Sequence, residues 1–250
     1  MDDLDTSLFS RVLSQTSAEE RRTLLAVQRA VARRYGDYTY LEIGSYLGGS
    51  LQPHVADSRC VRIFSVDPRP DCPSDDRTPG QGVTYAGNSK QRMLDNLTAI
   101  DAAQVSKLVC LDCDANDVPI EKLTPAPHVA FIDGEHTYAA VMSDFGFCVR
   151  AIHRDGVILF HDFGAIHTAI LEICRALTRE RRRYVPLRMD GSIFGIFFDP
   201  SLLTSDPYLA ALAERYGHLW PRYVMRTRLR QWLPEAVVNG LANVARVFGV

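Results

Sequence analysis

Apolar residues arrive along this chain in two alternating rhythms. Short runs such as TYLEIG (39–44), VRIFSVD (61–67), KLVCLD (107–112), HVAFID (128–133) and GVILFHD (156–162) are almost continuously apolar and rich in β-branched and aromatic residues. That is the pattern of strands buried on both faces. Between the runs lie stretches long enough for helices. Ahead of the first run, Ser17 and Glu20 form a capping-box pattern, and Leu24, Val27 and Val31 recur at helical spacing up to Gly36. Strands alternating with helices imply right-handed crossovers and a mainly parallel sheet covered on both sides. YVPLRM (184–189), DGS and IFGIFFD (193–199) predict two strands joined by a tight turn, an antiparallel hairpin at the sheet edge.

Each of the five runs ends on or near an acidic residue: Glu42, Asp67, Asp112 or Asp114, Asp133 and Asp162. The carboxyl ends of parallel strands share one edge, and open α/β sheets bind their ligands along it. Five acidic ends there predict a single site. The first turn, EIGSYLGGS (42–50), sets Gly44, Ser45, Gly48 and Gly49 where the backbone bends sharply and nears a ligand before a helix begins. Its glycines depart from the full dinucleotide-binding spacing. Asp67 closes the second strand, where a carboxylate can accept both hydroxyls of a ribose.

Composition narrows the class. With 250 residues, 46% hydrophobic, 23% charged and a net charge of −2, the chain has the make-up of an ordinary globular protein, and nothing global points to nucleic acid. Residues 175–250 hold twelve Arg against six Asp and Glu, near +6, so the remainder is near −8. The plain reading of that segment is a solvated basic face. Six cysteines are too few for a disulfide scaffold, and the lone CxxC of Cys110 and Cys113 lacks the second pair of a zinc site. The start, MDDLD, has no secretory pattern, and no apolar stretch reaches bilayer length, so a cytoplasmic protein without a transmembrane segment is expected. PRPDCPSDDRTPGQG (68–82) has the composition of a lid or substrate loop. Beyond Pro221 the sequence predicts two helices broken at Pro234. In the second, Val237, Leu241, Val244 and Phe248 form a stripe suited to a homodimer interface or to the domain's own flank.

From about Tyr40 to Asp199 the chain resembles the class I S-adenosylmethionine-dependent methyltransferases. LEIGSYLGG is similar to their first cofactor motif, FSVD to their ribose-binding strand end and LDCDAND to the strand end beside the adenine. The resemblance implies a Rossmann-like, doubly wound sheet of seven strands with an antiparallel final hairpin. It also implies three segments: an N-terminal helical piece (1–36), the cofactor-binding domain (37–200) and a C-terminal helical extension (201–250). Glu42, Gly44, Ser45, Gly48, Asp67, Cys113, Asp114 and Asp133 become the expected cofactor-binding set.

IDGEHTY (132–138), followed by Asp144 and by LFHD ending at Asp162, is similar to the macrocin and mycinamicin sugar O-methyltransferases. That likeness implies a divalent ion, Mg²⁺ or Mn²⁺, on Asp133, His161 and Asp162. Histidine stands where an acidic residue is common, which favours Mn²⁺ or another transition ion over a purely oxygen-seeking one. His136 takes the position of the general base, beside Asp133, because an alcohol must lose its proton as it attacks a methyl group and imidazole titrates near neutral pH. His167 is a further candidate for the substrate mouth. The acceptor expected is a sugar hydroxyl of a glycoside or oligosaccharide. The alternatives are a catechol- or phenol-type O-methyltransferase and, in another class, a nicotinamide-dependent oxidoreductase.

Overall fold

Every apolar run becomes a strand of one sheet in the computed structural model, which describes residues 4–69 and 84–230. The strands are β1 (Tyr38–Ile43), β2 (Cys60–Val66), β3 (Leu108–Leu111), β4 (Val129–Ile132), β5 (Val157–Phe160), β6 (Val185–Arg188) and β7 (Phe194–Phe197). They lie in the order β3-β2-β1-β4-β5-β7-β6. The first five pair in parallel, and β7 runs antiparallel to both of its neighbours. The hairpin predicted at the edge is present, but its second strand slots inward between β5 and β6. All-parallel dinucleotide folds have no such strand.

The sheet is buried on both sides, as its continuous apolar runs require. Leu41, Ile43, Phe64, Ala130, Ile132, Ile158 and Phe160 point to a core shared with α4 (Tyr138–Ala151) and α5 (Phe163–Arg179). Tyr40, Ile63, Val129, Phe131, Val157 and Leu159 point the other way, to α1 (Ala18–Tyr35), α2 (Gln52–Ala56) and α3 (Lys90–Thr98). On that same side α6 (Ser201–Ser205) and α7 (Pro207–Tyr216) pack against α1, and α8 (Leu219–Arg230) brings Trp220 to the first core. The capping box of α1 forms in full: Ser17 Oγ accepts the Glu20 N–H at 3.3 Å, and the Glu20 carboxylate accepts the Ser17 N–H at 2.7 Å.

The strand order reverses between β1 and β4, which opens a crevice at their carboxyl ends. Gly44 sets its width. Its N–H donates to the Val66 carbonyl at 2.9 Å, its φ is +86°, and a Cβ there would run into the Asp133 carbonyl. Only glycine lets the two turns approach this closely.

Cys60, Cys110, Cys113, Cys148 and Cys174 are free thiols. Among the described residues no helix is long and apolar enough to cross a membrane. Most of the 68–82 loop, and the expected second tail helix with its apolar stripe, lie outside the described residues.

Candidate active site at the carboxyl edge of the sheet

A cleft of about 370 Å³ opens over the ends of β1, β2 and β4, with Gly44, Tyr46, Asp67, Asp114, Asp133 and Asp144 on its walls. Clefts of roughly this size upward hold small-molecule ligands and cofactors. Asp67 is buried at its floor, where Oδ2 accepts the Tyr46 N–H at 2.9 Å and Oδ1 the Arg69 N–H at 2.7 Å. Tyr46 and Arg69 both adopt positive φ, 44° and 57°, an uncommon conformation for side chains of this size. The strain is spent on aiming two backbone donors at one carboxylate.

The Arg69 side chain is also buried. Nε donates to Asp112 Oδ1 at 2.9 Å, and Nη1 donates to the Tyr46 carbonyl at 3.1 Å and lies 3.7 Å from Asp67. Sequence reasoning missed this cation. Its one signal is its place, two residues beyond an acidic strand end. Burial, with the charges of Asp114 and Glu135, pushes the Asp144 carboxyl on the opposite wall up to about 7.

The expected cofactor-binding residues do not all face the cleft. Gly44, Asp67, Asp114 and Asp133 line it. Ser45 lies just behind, and its buried Oγ has no hydrogen-bond partner among the described residues, so it suits a polar ligand group. Gly48 instead faces Met93 and Leu97 of α3, where it serves packing. Cys113 is partly buried against the core on the α4 side.

Glu42 departs furthest from expectation. It stands inside β1, on the same face as Tyr40, and is fully buried. Its carboxylate accepts the Tyr40 hydroxyl and the Ser50 hydroxyl, both at 2.6 Å, and burial pushes its pKa up to about 8. It braces the first turn from beneath. His167 is half-buried with Nδ1 2.9 Å from the Gly164 carbonyl, and is not among the cleft walls.

At the β4 and β5 ends the residues hold one another. His136 Nε2 lies 3.3 Å from Asp162 Oδ2 and 3.7 Å from Asp133 Oδ1. His161 Nδ1 lies 3.0 Å from Asp133 Oδ1 and 3.5 Å from Asp162 Oδ2. Asp162 takes part from a left-handed backbone conformation (φ 51°, ψ 44°) at the start of α5, one that Asp tolerates better than most residues. Burial alone would lower the His161 pKa, but Asp133, Asp162 and Glu20 outweigh it and push it up to about 12. Burial would likewise raise the Asp133 carboxyl, and His161 with His136 instead holds it below the ordinary carboxylate value.

This cluster demands positive charge. Asp133, His136 and His161 each offer a ligand atom, and those atoms lie within 4.8 Å of one another, so this group holds His136 where the expected set has Asp162, whose Oδ2 stands 3.3 Å from His136 Nε2. An ion with bonds of roughly 2.1 Å spaces neighbouring ligands about 3 Å apart along an octahedral edge, a spacing that the His161–Asp133 pair meets at 3.0 Å and the His136–Asp133 pair exceeds at 3.7 Å. The mixed oxygen and imidazole donor set therefore fits a divalent ion that accepts nitrogen.

Residues 41–163 match the family described as a methyltransferase domain. They form a class I methyltransferase domain. The seven-stranded sheet with its antiparallel β7 is a Rossmann-like methyltransferase fold. CalS11, a calicheamicin methyltransferase, superposes with a TM-score of 0.53 at 14% identity, over 78% of this chain and 89% of its own. MycE, a methyltransferase of the mycinamycin biosynthetic pathway solved with Mg and SAH, gives 0.51 at 15% identity, over 79% of this chain and 55% of its own. At these identities the likeness speaks for the fold. A curated relative, uncharacterized protein R132 of Acanthamoeba polyphaga mimivirus, is 26% identical over 129 residues. That match covers 51% of this chain and 52% of the relative, so it spans about half the relative's length.

Proposed function

We propose that this methyltransferase transfers a methyl group from S-adenosylmethionine to a sugar hydroxyl of a glycoside or oligosaccharide, with a divalent ion at Asp133, His161 and Asp162 and with His136 as general base. One observation carries the reading: His136 and the three candidate ligands form a single cluster at the β4 and β5 ends, largely buried, and Asp133, one of its members, also lines the cleft. The sugar acceptor rests on the likeness of IDGEHTY and LFHD to the macrocin and mycinamicin sugar O-methyltransferases, and MycE of the mycinamycin pathway is among the proteins of similar fold.

When bound, the cofactor supplies an electrophilic methyl on a sulfonium, and the ion would lower the pKa of the acceptor hydroxyl. The chain's own residues do the rest. Asp67, with its two backbone donors in place, would receive the ribose hydroxyls, and Asp114 would flank the adenine edge. As the acceptor oxygen would bond to the methyl carbon and the S–CH₃ bond would break, His136 would take the hydroxyl proton. Asp162 and Asp133, 3.3 and 3.7 Å from its Nε2, would stabilise the imidazolium that results.

The test is methyl transfer from S-adenosylmethionine to a panel of glycosides, followed by mass. Transfer is expected to stop with chelator and to return with Mn²⁺. Transfer to phenols in preference to glycosides would move the acceptor to the catechol class, and undiminished transfer in chelator would remove the ion.

A further inference from the structure

The side chain of Glu20 sits where α1, the β6–β7 turn and the end of β5 meet. Oε2 accepts the Ser17 N–H at 2.7 Å, closing the capping box, and lies 3.4 Å from Nε2 of His161, a buried nitrogen with no hydrogen bond among the described residues and Glu20 as its facing carboxylate. Oε1 accepts the N–H and the hydroxyl of Ser192 at 2.8 and 2.6 Å. The Ser192 hydroxyl in turn accepts the Asp162 N–H at 3.3 Å. Gly191 has φ +70°, and a Cβ there would run into Glu20 Cγ, so the hairpin turn is shaped around this one side chain.

A capping box requires none of this. Its glutamate reaches back to one backbone N–H and can remain in solvent. Glu20 is only 6% exposed, and a buried carboxylate is tolerated only where partners replace its water. The partners here are the His161 ring and the turn that holds the backbone of Asp162. The ring is strung between two sets of acceptors, with Nε2 towards Glu20 and Nδ1 towards Asp133 and Asp162. Ligating histidines characteristically donate their remaining ring N–H to a carboxylate, which settles tautomer and ring orientation.

We infer that Glu20 is a positioning residue for the strand-end site: its carboxylate faces Nε2 of His161 and fixes the ring by charge, leaving Nδ1 as the nitrogen presented to Asp133 and Asp162, and through Ser192 it holds the backbone of Asp162 in place. The inference rests on the ion site proposed above. It makes α1 part of the frame of the site, although Glu20 reads in the sequence as a helix cap alone.

Glu20→Gln and Ser17→Ala separate the two roles, because the second weakens the cap and leaves the carboxylate beside His161. In the metal-free protein, ¹⁵N–¹H spectra of the imidazole rings are expected to show the His161 Nε2 signal displaced in E20Q and unchanged in S17A. A His161 signal in E20Q identical to wild type overturns the inference. Calorimetric titration with Mn²⁺ is expected to show E20Q binding about 10- to 100-fold more weakly than wild type, with S17A close to wild type. Equal affinity in E20Q and wild type, or equal loss in E20Q and S17A, also overturns it. A wild-type protein that takes up no Mn²⁺ defeats the ion reading, and the ring signals then decide the role of Glu20 alone. If E20Q does not fold, Glu20→Asp, which keeps the charge but withdraws it by one methylene, takes its place with the same expected direction.

Discussion

Two histidines of similar burial sit at opposite extremes of titration. His54 in α2 is 4% exposed and His161 at the end of β5 is 7% exposed. His54 stacks on Tyr40 with ring centroids 3.6 Å apart and pairs its Nδ1 with the Tyr38 hydroxyl at 3.0 Å. Burial pushes its pKa down to about 3, against a weaker pull from Asp57. His161 suffers the same desolvation but has three carboxylates in reach, and its pKa rises to about 12. Burial by itself thus says little about an imidazole; the count of carboxylates around it sets the sign. The aromatic region stores a neutral ring as packing, and the carboxyl edge concentrates negative charge that calls for a cation.

The sharpest way to break this comparison is to remove one histidine from the carboxyl edge and one that packs among aromatic rings. His136→Ala is expected to lower methyl transfer by about 10²- to 10⁴-fold. His128→Ala, which removes a ring packed between Tyr35 and His153 away from the cleft, should leave kcat near wild type. Comparable losses in both variants would trace the effect to folding and not to a base.

A smaller effect separates the regions by pH. The unfolded chain protonates His54 below about 6.5, and the folded state refuses that proton until about pH 3. A depressed folded pKa in a base means stability is lost as pH falls through this window, by at most about 1.4 kcal/mol per pH unit from this group. His54→Phe keeps a ring against Tyr40 and should flatten the decline between urea midpoints measured at pH 7 and pH 4. An unchanged slope would show that another group carries it.

The smallest expected effect concerns Glu42, whose raised folded pKa of about 8 exceeds its model-compound value of 4.5. The folded state retains a proton that the unfolded chain releases, so this contribution is complete below pH 4.5 and is lost as pH rises through 8. Glu42→Gln should reduce the fall in stability between pH 6 and pH 9 by at most about 2.7 kcal/mol, read from urea midpoints. A steeper fall in the variant would contradict a protonated Glu42.

The site was legible in the sequence only in part, and Glu42, Asp67 and Asp133 show why. Asp67 and Asp133 come one residue after the last residue of β2 and β4, where the backbone leaves the sheet and the carboxylate can turn to the cleft. Glu42 comes one residue before the end of β1, paired with Ser65 and Phe131, and the pleat commits it to the face of Tyr40. A shift of one position along a strand exchanges faces, and apolar patterning does not resolve strand ends that finely. Arg69 was missed for a related reason, since a lone cation after a strand carries no periodicity.

What the sequence determined alone is the alternation of buried strands and helices, the capped start of α1, the closing hairpin and the edge on which polar chemistry collects. Those follow from local periodicity and from the rule that parallel strands share a direction. Only the tertiary structure decided that β7 inserts between β5 and β6, that Glu42 turns away from the cleft, and that Glu20, far along the chain from His161 and Ser192, closes on both. Contacts of that range depend on how α1 packs across the sheet, and no local pattern encodes the meeting point of three separate elements.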